Sequence, residues 1–206
     1  MQAGITCSIF DSESSQNVRT REWTLALNYA THDLETLLPP NLYSRLREAY
    51  TDPHHDYTDM NYTPMYNSGT GEKIHEMVHE DIIMVSRRRM RKLCSEGIDV
   101  RYGTAFQDAT FEDGKVQAIF ENGEVVEGDL LVGCDGTRSR VREVLLGVEK
   151  ARRTHCDLRL TTANVRYADP EVVRRIRSLT TRTAMGYHST GMFSMVTSES
   201  SSKFHT

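Results

Sequence analysis

The sequence predicts an α/β chain whose clearest local feature is a three-stranded β-meander. Three observations carry this. Strand-like and helix-like apolar patterns alternate along the 206 residues. The dipeptides Asp113-Gly114 and Asn122-Gly123 separate the β-rich segments 106–112, 115–121 and 124–134, and both suit tight hairpin turns. The last segment, Asp129-Leu-Leu-Val-Gly-Cys134, is apolar through its middle, as expected of a strand covered on both faces, and leads into a helix.

The other elements follow from local pattern. Residues 5–10 read as a buried strand ending at Asp11, with a Ser-rich polar stretch over 12–17. A helix is expected from Glu22 to Leu38, because Trp23, Leu27, Ala30, Leu34 and Leu37 recur at steps of four and three. Pro39-Pro40 stops it. Residues 50–72 are polar and without period, hence irregular, and 73–85 read as a strand. Ser86 caps a helix over 87–96, whose apolar side is Met90, Leu93 and Cys94 and whose stop is Gly97. A strand over 98–102 precedes the meander, and a short helix over 138–146 follows it, stopped by Gly147. Residues 157–167 and 184–197 read as strands around a helix beginning after Pro170. No internal repeat is present.

Composition excludes several classes. Lys and Arg number 25 against 29 Asp and Glu, a net charge of −4, which argues against a nucleic-acid binder that works through bulk charge. With Gly counted and Tyr set aside, the apolar share is about 40%, below the usual ~45–50%. No run approaches the length of a membrane span. The N-terminus has no basic-then-apolar signal segment, so the sequence predicts an intracellular, cytoplasmic protein. Cys7, Cys94, Cys134 and Cys156 form no C-x-x-C pair and read as buried free thiols.

Two expected helices carry arginines in their first turns: Arg87, Arg88 and Arg89 in one, Arg138, Arg140 and Arg142 in the other. Cations there oppose the helix dipole unless an anion is bound, and arginines and helix N-termini both favour phosphate. The alternative is that these long side chains simply extend into water. His75-Glu76-Met77-Val78-His79 matches the H-E-x-x-H pattern of zinc hydrolases. That chemistry needs a helix, whereas this segment alternates like a strand, which would set the two histidines about 13 Å apart. The basic run 87–92 lacks the interleaved aromatics of a nucleic-acid stacking surface.

The segment Gly128-Asp-Leu-Leu-Val-Gly-Cys-Asp-Gly-Thr-Arg-Ser-Arg-Val-Arg142 resembles the FAD-dependent monooxygenases of the aromatic hydroxylase class, through Asp135, Gly136, Ser139 and Arg142. Ile9-Phe10-Asp11 resembles the end of the family's second Rossmann strand, Arg21-Glu22-Trp23 its first long helix after that acid, and Val85-Ser86-Arg87 a helix start whose arginine reaches the flavin.

The resemblance implies an incomplete Rossmann-type FAD-binding domain over residues 1–45 and 85–150, with part of a substrate-binding β-sheet domain over 46–84 and 151–206. It further implies a ribose-binding role for Asp11, cofactor contacts for Arg21 and Arg87, and diphosphate-region contacts for Asp135, Gly136, Ser139 and Arg142. The activity implied is NAD(P)H-dependent insertion of one oxygen atom of O2 into a small organic substrate, aromatic ones included. No catalytic side chain and no metal ligand is assigned. The family's G-x-G-x-x-G turn and its later motif, Gly-Asp followed by an Ala-rich helix, do not occur in the sequence. The expectation is therefore a fragment truncated at both ends, inactive alone and binding FAD weakly or not at all. The competing readings are a non-catalytic nucleotide-binding remnant and a zinc hydrolase through His75 and His79.

Overall fold

The computed structural model describes residues 4–19, 22–54, 62–79, 82–179 and 183–198. In chain order the elements begin with β1 (Ile9–Asp11), β2 (Thr24–Leu27), α1 (Thr31–Leu37), α2 (Pro40–Tyr43), β3 (Tyr62–Asn67), β4 (Lys73–Val78), β5 (Ile83–Ser86) and α3 (Arg87–Cys94). They continue with β6 (Val100–Tyr102), β7 (Phe106–Glu112), β8 (Lys115–Phe120), β9 (Val125–Gly128), α4 (Arg140–Leu146) and α5 (Val148–Ala151). The last are α6 (Pro170–Leu179), β10 (Thr183–Tyr187) and β11 (Phe193–Thr197). The described residues form two compact units, one from 4–19 with 97–162, the other from those within 22–96 and 163–198.

In the first unit β1 runs parallel to β6, with Asp11 opposite Tyr102. Strands β7, β8 and β9 form an antiparallel three-stranded sheet. Its two turns differ. Asp113 and Gly114 both take positive φ, 50° and 74°. At the second turn only Gly123 does, at 83°. There the Phe120 carbonyl accepts from the Gly123 N–H and the Glu124 carbonyl accepts from the Phe120 N–H, a turn closed by a glycine bulge. Phe120 is buried and meets the Phe10 ring at 4.4 Å, joining β8 to β1.

In the second unit Leu38, Leu42, Leu46, Ala49, Ile83, Val85 and Leu93 form one apolar core. Strand β5 is buried along its whole length because β2 covers one edge and α3 and the 46–49 turn pack around it. A four-stranded sheet runs in the order β11-β10-β3-β4, with β10 parallel to β3 and the other pairs antiparallel. Helix α6 is tied to the buried Asp52 by an ion pair from Arg177.

Several expectations are corrected. The helix expected over 22–38 is a strand, β2, followed by the short α1. Leu25 pairs with Val85, and this ladder to a buried strand outweighs helical spacing. The spacing had also misled about burial, since Trp23 and Leu37 are exposed. Part of the region expected to be irregular, 50–72, is strand β3. Its Pro64 is tolerated because the β10 ladder begins only at Met65, so the missing N–H faces no β10 partner. The strand expected over 73–85 is two strands, β4 and β5. The strand expected over 5–10 is limited to β1.

The strand expected to continue through Cys134 stops at Gly128. Residues 129–134 pair with no strand among the described residues, and Leu130 is 80% exposed, so this segment is not covered on both faces. Residues 157–167 likewise form no strand; Leu158 and Leu160 lie exposed. In both cases the local pattern is strand-like, but no strand edge among the described residues satisfies the backbone. The segment 184–197 is the hairpin of β10 and β11, turned at Gly191. Among the described residues no cysteine is in a disulfide, but Cys7, Cys134 and Cys156 are exposed rather than buried. Among the described residues no helix is long and apolar enough to cross a membrane.

Candidate functional site

Asp11 ends β1, at the C-terminal end of a parallel strand pair. Its Oδ1 accepts from the Glu13 N–H at 2.8 Å, and its carbonyl accepts from the Thr104 N–H at 3.0 Å. The Glu13 carbonyl accepts from the Gly103 N–H at 2.7 Å. The loops leaving β1 and β6 are thus tied together, which holds the Asp11 carboxylate at the strand end. This is where a parallel sheet presents groups to a ligand.

Asp135, Gly136, Ser139 and Arg142 are brought together at the start of α4. The Ser139 hydroxyl donates to Asp135 Oδ1 at 2.5 Å and accepts from the Arg142 N–H at 3.0 Å. Asp135 Oδ2 accepts from the N–H groups of Arg140 and Val141 at 2.6 and 3.1 Å. Burial alone would raise the Asp135 pKa, yet these donors outweigh it and hold the carboxyl below its ordinary value. Gly136 sits at φ 82°, the left-handed conformation that lets the chain turn back so that Asp135 reaches over the helix end. The Arg142 guanidinium donates to the Thr137 carbonyl at 2.9 Å and to that of Ala151 at 3.4 Å, bracing α4 against its flanks.

In the second unit Arg87 is the first residue of α3, and its N–H donates to the Trp23 carbonyl at 2.8 Å. Its half-buried guanidinium has no hydrogen bond or ion pair with a described residue. The neighbouring arginines are engaged: Arg88 pairs with Glu22 at 2.8 Å, and Arg89 donates to the Tyr50 carbonyl. Arg21 lies outside the described residues.

The arginine-rich helix starts therefore have internal anions. Asp135 sits on the N-terminus of α4, and Glu22 on that of α3, where it also accepts from the Ser86 hydroxyl at 2.7 Å. Each carboxylate offsets the unfavourable arginine–dipole interaction, worth about 0.3–1 kcal/mol per charge. The sequence assigned Glu22 no capping role, because it is 64 residues from the serine it meets. Gly133 was also missed. A Cβ there would stand 2.8 Å from Val141 Cβ, so only glycine lets the 129–135 segment lie against α4.

His75 lies on β4 opposite Met65, and His79 follows that strand with its Nε2 2.8 Å from the Thr63 hydroxyl. The helix that H-E-x-x-H zinc chemistry requires is not formed there. Among the described residues no group of three or more His, Cys, Asp or Glu side chains converges as a metal centre would.

Comparison with known proteins places these features in context. A family profile described as an FAD binding domain matches residues 4–205. The FAD-dependent monooxygenase phnB of Penicillium herquei is 37% identical over 179 residues, covering 85% of this chain and 44% of the relative. The FAD-dependent monooxygenase cctM of Talaromyces islandicus is 31% identical over 190 residues, covering 92% and 48%. The chain thus spans about half the length of the curated relatives it matches.

Among solved structures, a Photorhabdus luminescens protein described as a candidate FAD containing monooxygenase superposes with a TM-score of 0.66 at 16% identity, covering 91% of this chain and 48% of that one. Klebsiella pneumoniae HpxO, solved with FAD and uric acid, superposes with a TM-score of 0.54 at 16% identity, covering 69% and 36%. At such identities these two likenesses speak to the fold alone. The profile match over nearly the whole chain settles the family: this chain belongs to the FAD-binding-domain family of the FAD-dependent monooxygenases.

Proposed function

We propose that this chain contributes the cofactor-contacting and part of the substrate-contacting surface of an FAD- and NAD(P)H-dependent monooxygenase that inserts one oxygen atom of O2 into an organic substrate. The family match over residues 4–205 is the observation that carries this reading. In it, residues 1–45 and 85–150 serve the cofactor and residues 46–84 and 151–206 the substrate.

The residues present fit FAD in kind. Asp11 offers a carboxylate at the C-terminal end of a parallel strand, suited to accepting from a ribose diol. Arg87 offers a guanidinium that no described residue engages. Asp135 and Ser139 serve the cofactor by holding the turn at Gly136, since their hydrogen-bonding atoms already bind each other and α4. When bound, the flavin supplies hydride acceptance and oxygen activation; the chain's part is to bind, orient and exclude water.

An aromatic substrate is supported by one face of the four-stranded sheet. Met65, Met185 and Met195 stand in one register row, and Tyr187 and Phe193 beside them meet with ring centroids 5.3 Å apart. Methionine and aromatic side chains provide adaptable apolar contact for a flat ring.

The test is titration of the purified protein with FAD, followed by quenching of flavin fluorescence, with Asp11→Ala and Arg87→Ala alongside. Saturable binding that each substitution weakens roughly tenfold, as loss of a charge-assisted hydrogen bond should, supports the assignment. Affinity unchanged from the parent in both variants overturns it.

A further inference from the structure

We propose that Asp52 and Arg177 are positioning residues for Arg87: their ion pair holds residues 50–52 along β5 and so fixes the first turn of α3. The role rests on the reading of Arg87 as a flavin contact.

The links all lie within the second unit. Residues 50 and 51 run along the edge of β5 opposite β2. Tyr50 bridges to Val85, and the Thr51 N–H donates to the Met84 carbonyl at 2.9 Å. The Thr51 hydroxyl donates to the same carbonyl at 3.3 Å. From the first turn of α3, the Arg89 guanidinium donates to the Tyr50 carbonyl. Strand β5 ends at Ser86, so the place of Arg87 is set by that strand and by the turn Arg89 anchors.

Asp52 ties this segment to α6. It is only 7% exposed, and a carboxylate at that depth is stable when a cation pairs with it. Arg177 pairs with Oδ2, and the His54 N–H donates to Oδ1 at 3.3 Å. Helix α6 has no fully buried side chain, and among the described residues this pair is its one ionic link to another part of the unit. Without Arg177 the carboxylate is drawn towards water. That pulls Thr51 and Tyr50 from β5 and takes away the acceptor of Arg89. The start of α3 then loosens, although nothing in the Arg87 guanidinium has changed.

The test uses Trp23, the single tryptophan of the sequence, whose carbonyl accepts from the Arg87 N–H. Quenching of its emission by added FAD gives the affinity. Hydrogen exchange of the Arg87, Arg88 and Arg89 amides gives the order of the first turn. Arg177→Gln is compared with the parent and with the charge-keeping Arg177→Lys. Arg174→Gln is the control, since Arg174 is an exposed arginine of the same helix paired with Glu171. Circular dichroism and urea midpoints check that each is folded. If Arg177→Gln does not fold, Asp52→Asn/Arg177→Gln replaces it, because that variant removes the pair without stranding a buried charge.

FAD binding weakened by about three- to tenfold in Arg177→Gln, with faster exchange of the three amides and recovery of most of both in Arg177→Lys, supports the assignment. Parental exchange in the folded variant overturns it, whatever the affinity, since the helix start has not loosened. Equal weakening in Arg174→Gln marks a general charge effect and overturns it too, as does equal loss in Arg177→Lys. Arg87→Ala is measured alongside. Parental affinity in Arg87→Ala sinks the flavin reading of Arg87 and not the role of the ion pair. Amide exchange alone decides that role in this case, as it does where the parent does not saturate.

Discussion

The Ser86 hydroxyl links Glu22 to the first turn of α3: it donates to Glu22 Oε1 at 2.7 Å and accepts from the Arg89 N–H at 3.2 Å. Ser86 is fully buried, and Glu22 is largely so. The pair joins the segment entering β2 to the β5–α3 junction and places negative charge where three consecutive arginines begin a helix.

Ser86→Ala removes both hydrogen bonds and leaves the partly buried Glu22 Oε1 with only the longer contact from the Arg88 N–H, at 3.4 Å. The expected cost is about 1–2 kcal/mol, read as a lower urea midpoint. Glu22→Gln keeps an acceptor for Ser86 but loses the ion pair with the half-exposed Arg88, so its cost stays below about 1 kcal/mol. Equal stability of Ser86→Ala and the parent would show that the cap does not matter.

Asp135 makes acid stability depend on α4. Its folded pKa lies below the ordinary 3.8: burial pushes it up, and the Ser139 hydroxyl with the N–H groups of Val141 and Arg140 pulls it further down. A depressed carboxyl stabilises the fold above its unfolded pKa, and that contribution is lost as pH falls below 3.8 through the folded value. Asp135→Asn should cost about 1 kcal/mol near neutrality, as a weakened cap does, and should flatten the acid limb relative to the parent. Urea midpoints measured from neutral pH into acid check this. Parallel curves for the two proteins would contradict it.

Gly133→Ala tests the contact between the 129–135 segment and α4. The added Cβ would lie 2.8 Å from Val141 Cβ and 2.9 Å from its Cγ1. Val141 Cβ is fixed to the backbone of a helix, so no rotamer change clears it. Overpacking of this kind costs about 1–3 kcal/mol. Adding Val141→Ala removes the Cγ contact but not the Cβ contact, so the double variant should recover only part of the Gly133→Ala loss relative to Val141→Ala alone. Thermal melts of the four proteins measure the difference.

Much of the candidate site was legible from local sequence. Ser86 is the cap of α3, Gly147 closes α4 and Asp113-Gly114 takes the expected turn, because these features depend on residues within one turn of each other. The strand end at Asp11 and the Asp135–Arg142 segment also fall where their patterns put them. What was not legible is how those residues are engaged. Arginines at two helix starts pointed to an external anion, whereas Glu22 and Asp135 supply the charge from within the chain.

The sequence by itself determined the turn chemistry, the caps, the alternation of strands and helices and the family to which the chain belongs. Tertiary structure alone decided that residues 24–27 are a strand, since only pairing with the buried β5 overrides their helical spacing. It also decided that the apolar residues 130–132 pair with no strand among the described residues, because a strand exists only where another edge satisfies its backbone. Periodicity records which side chains prefer burial. Which neighbour covers them is set by contacts between residues far apart in the chain.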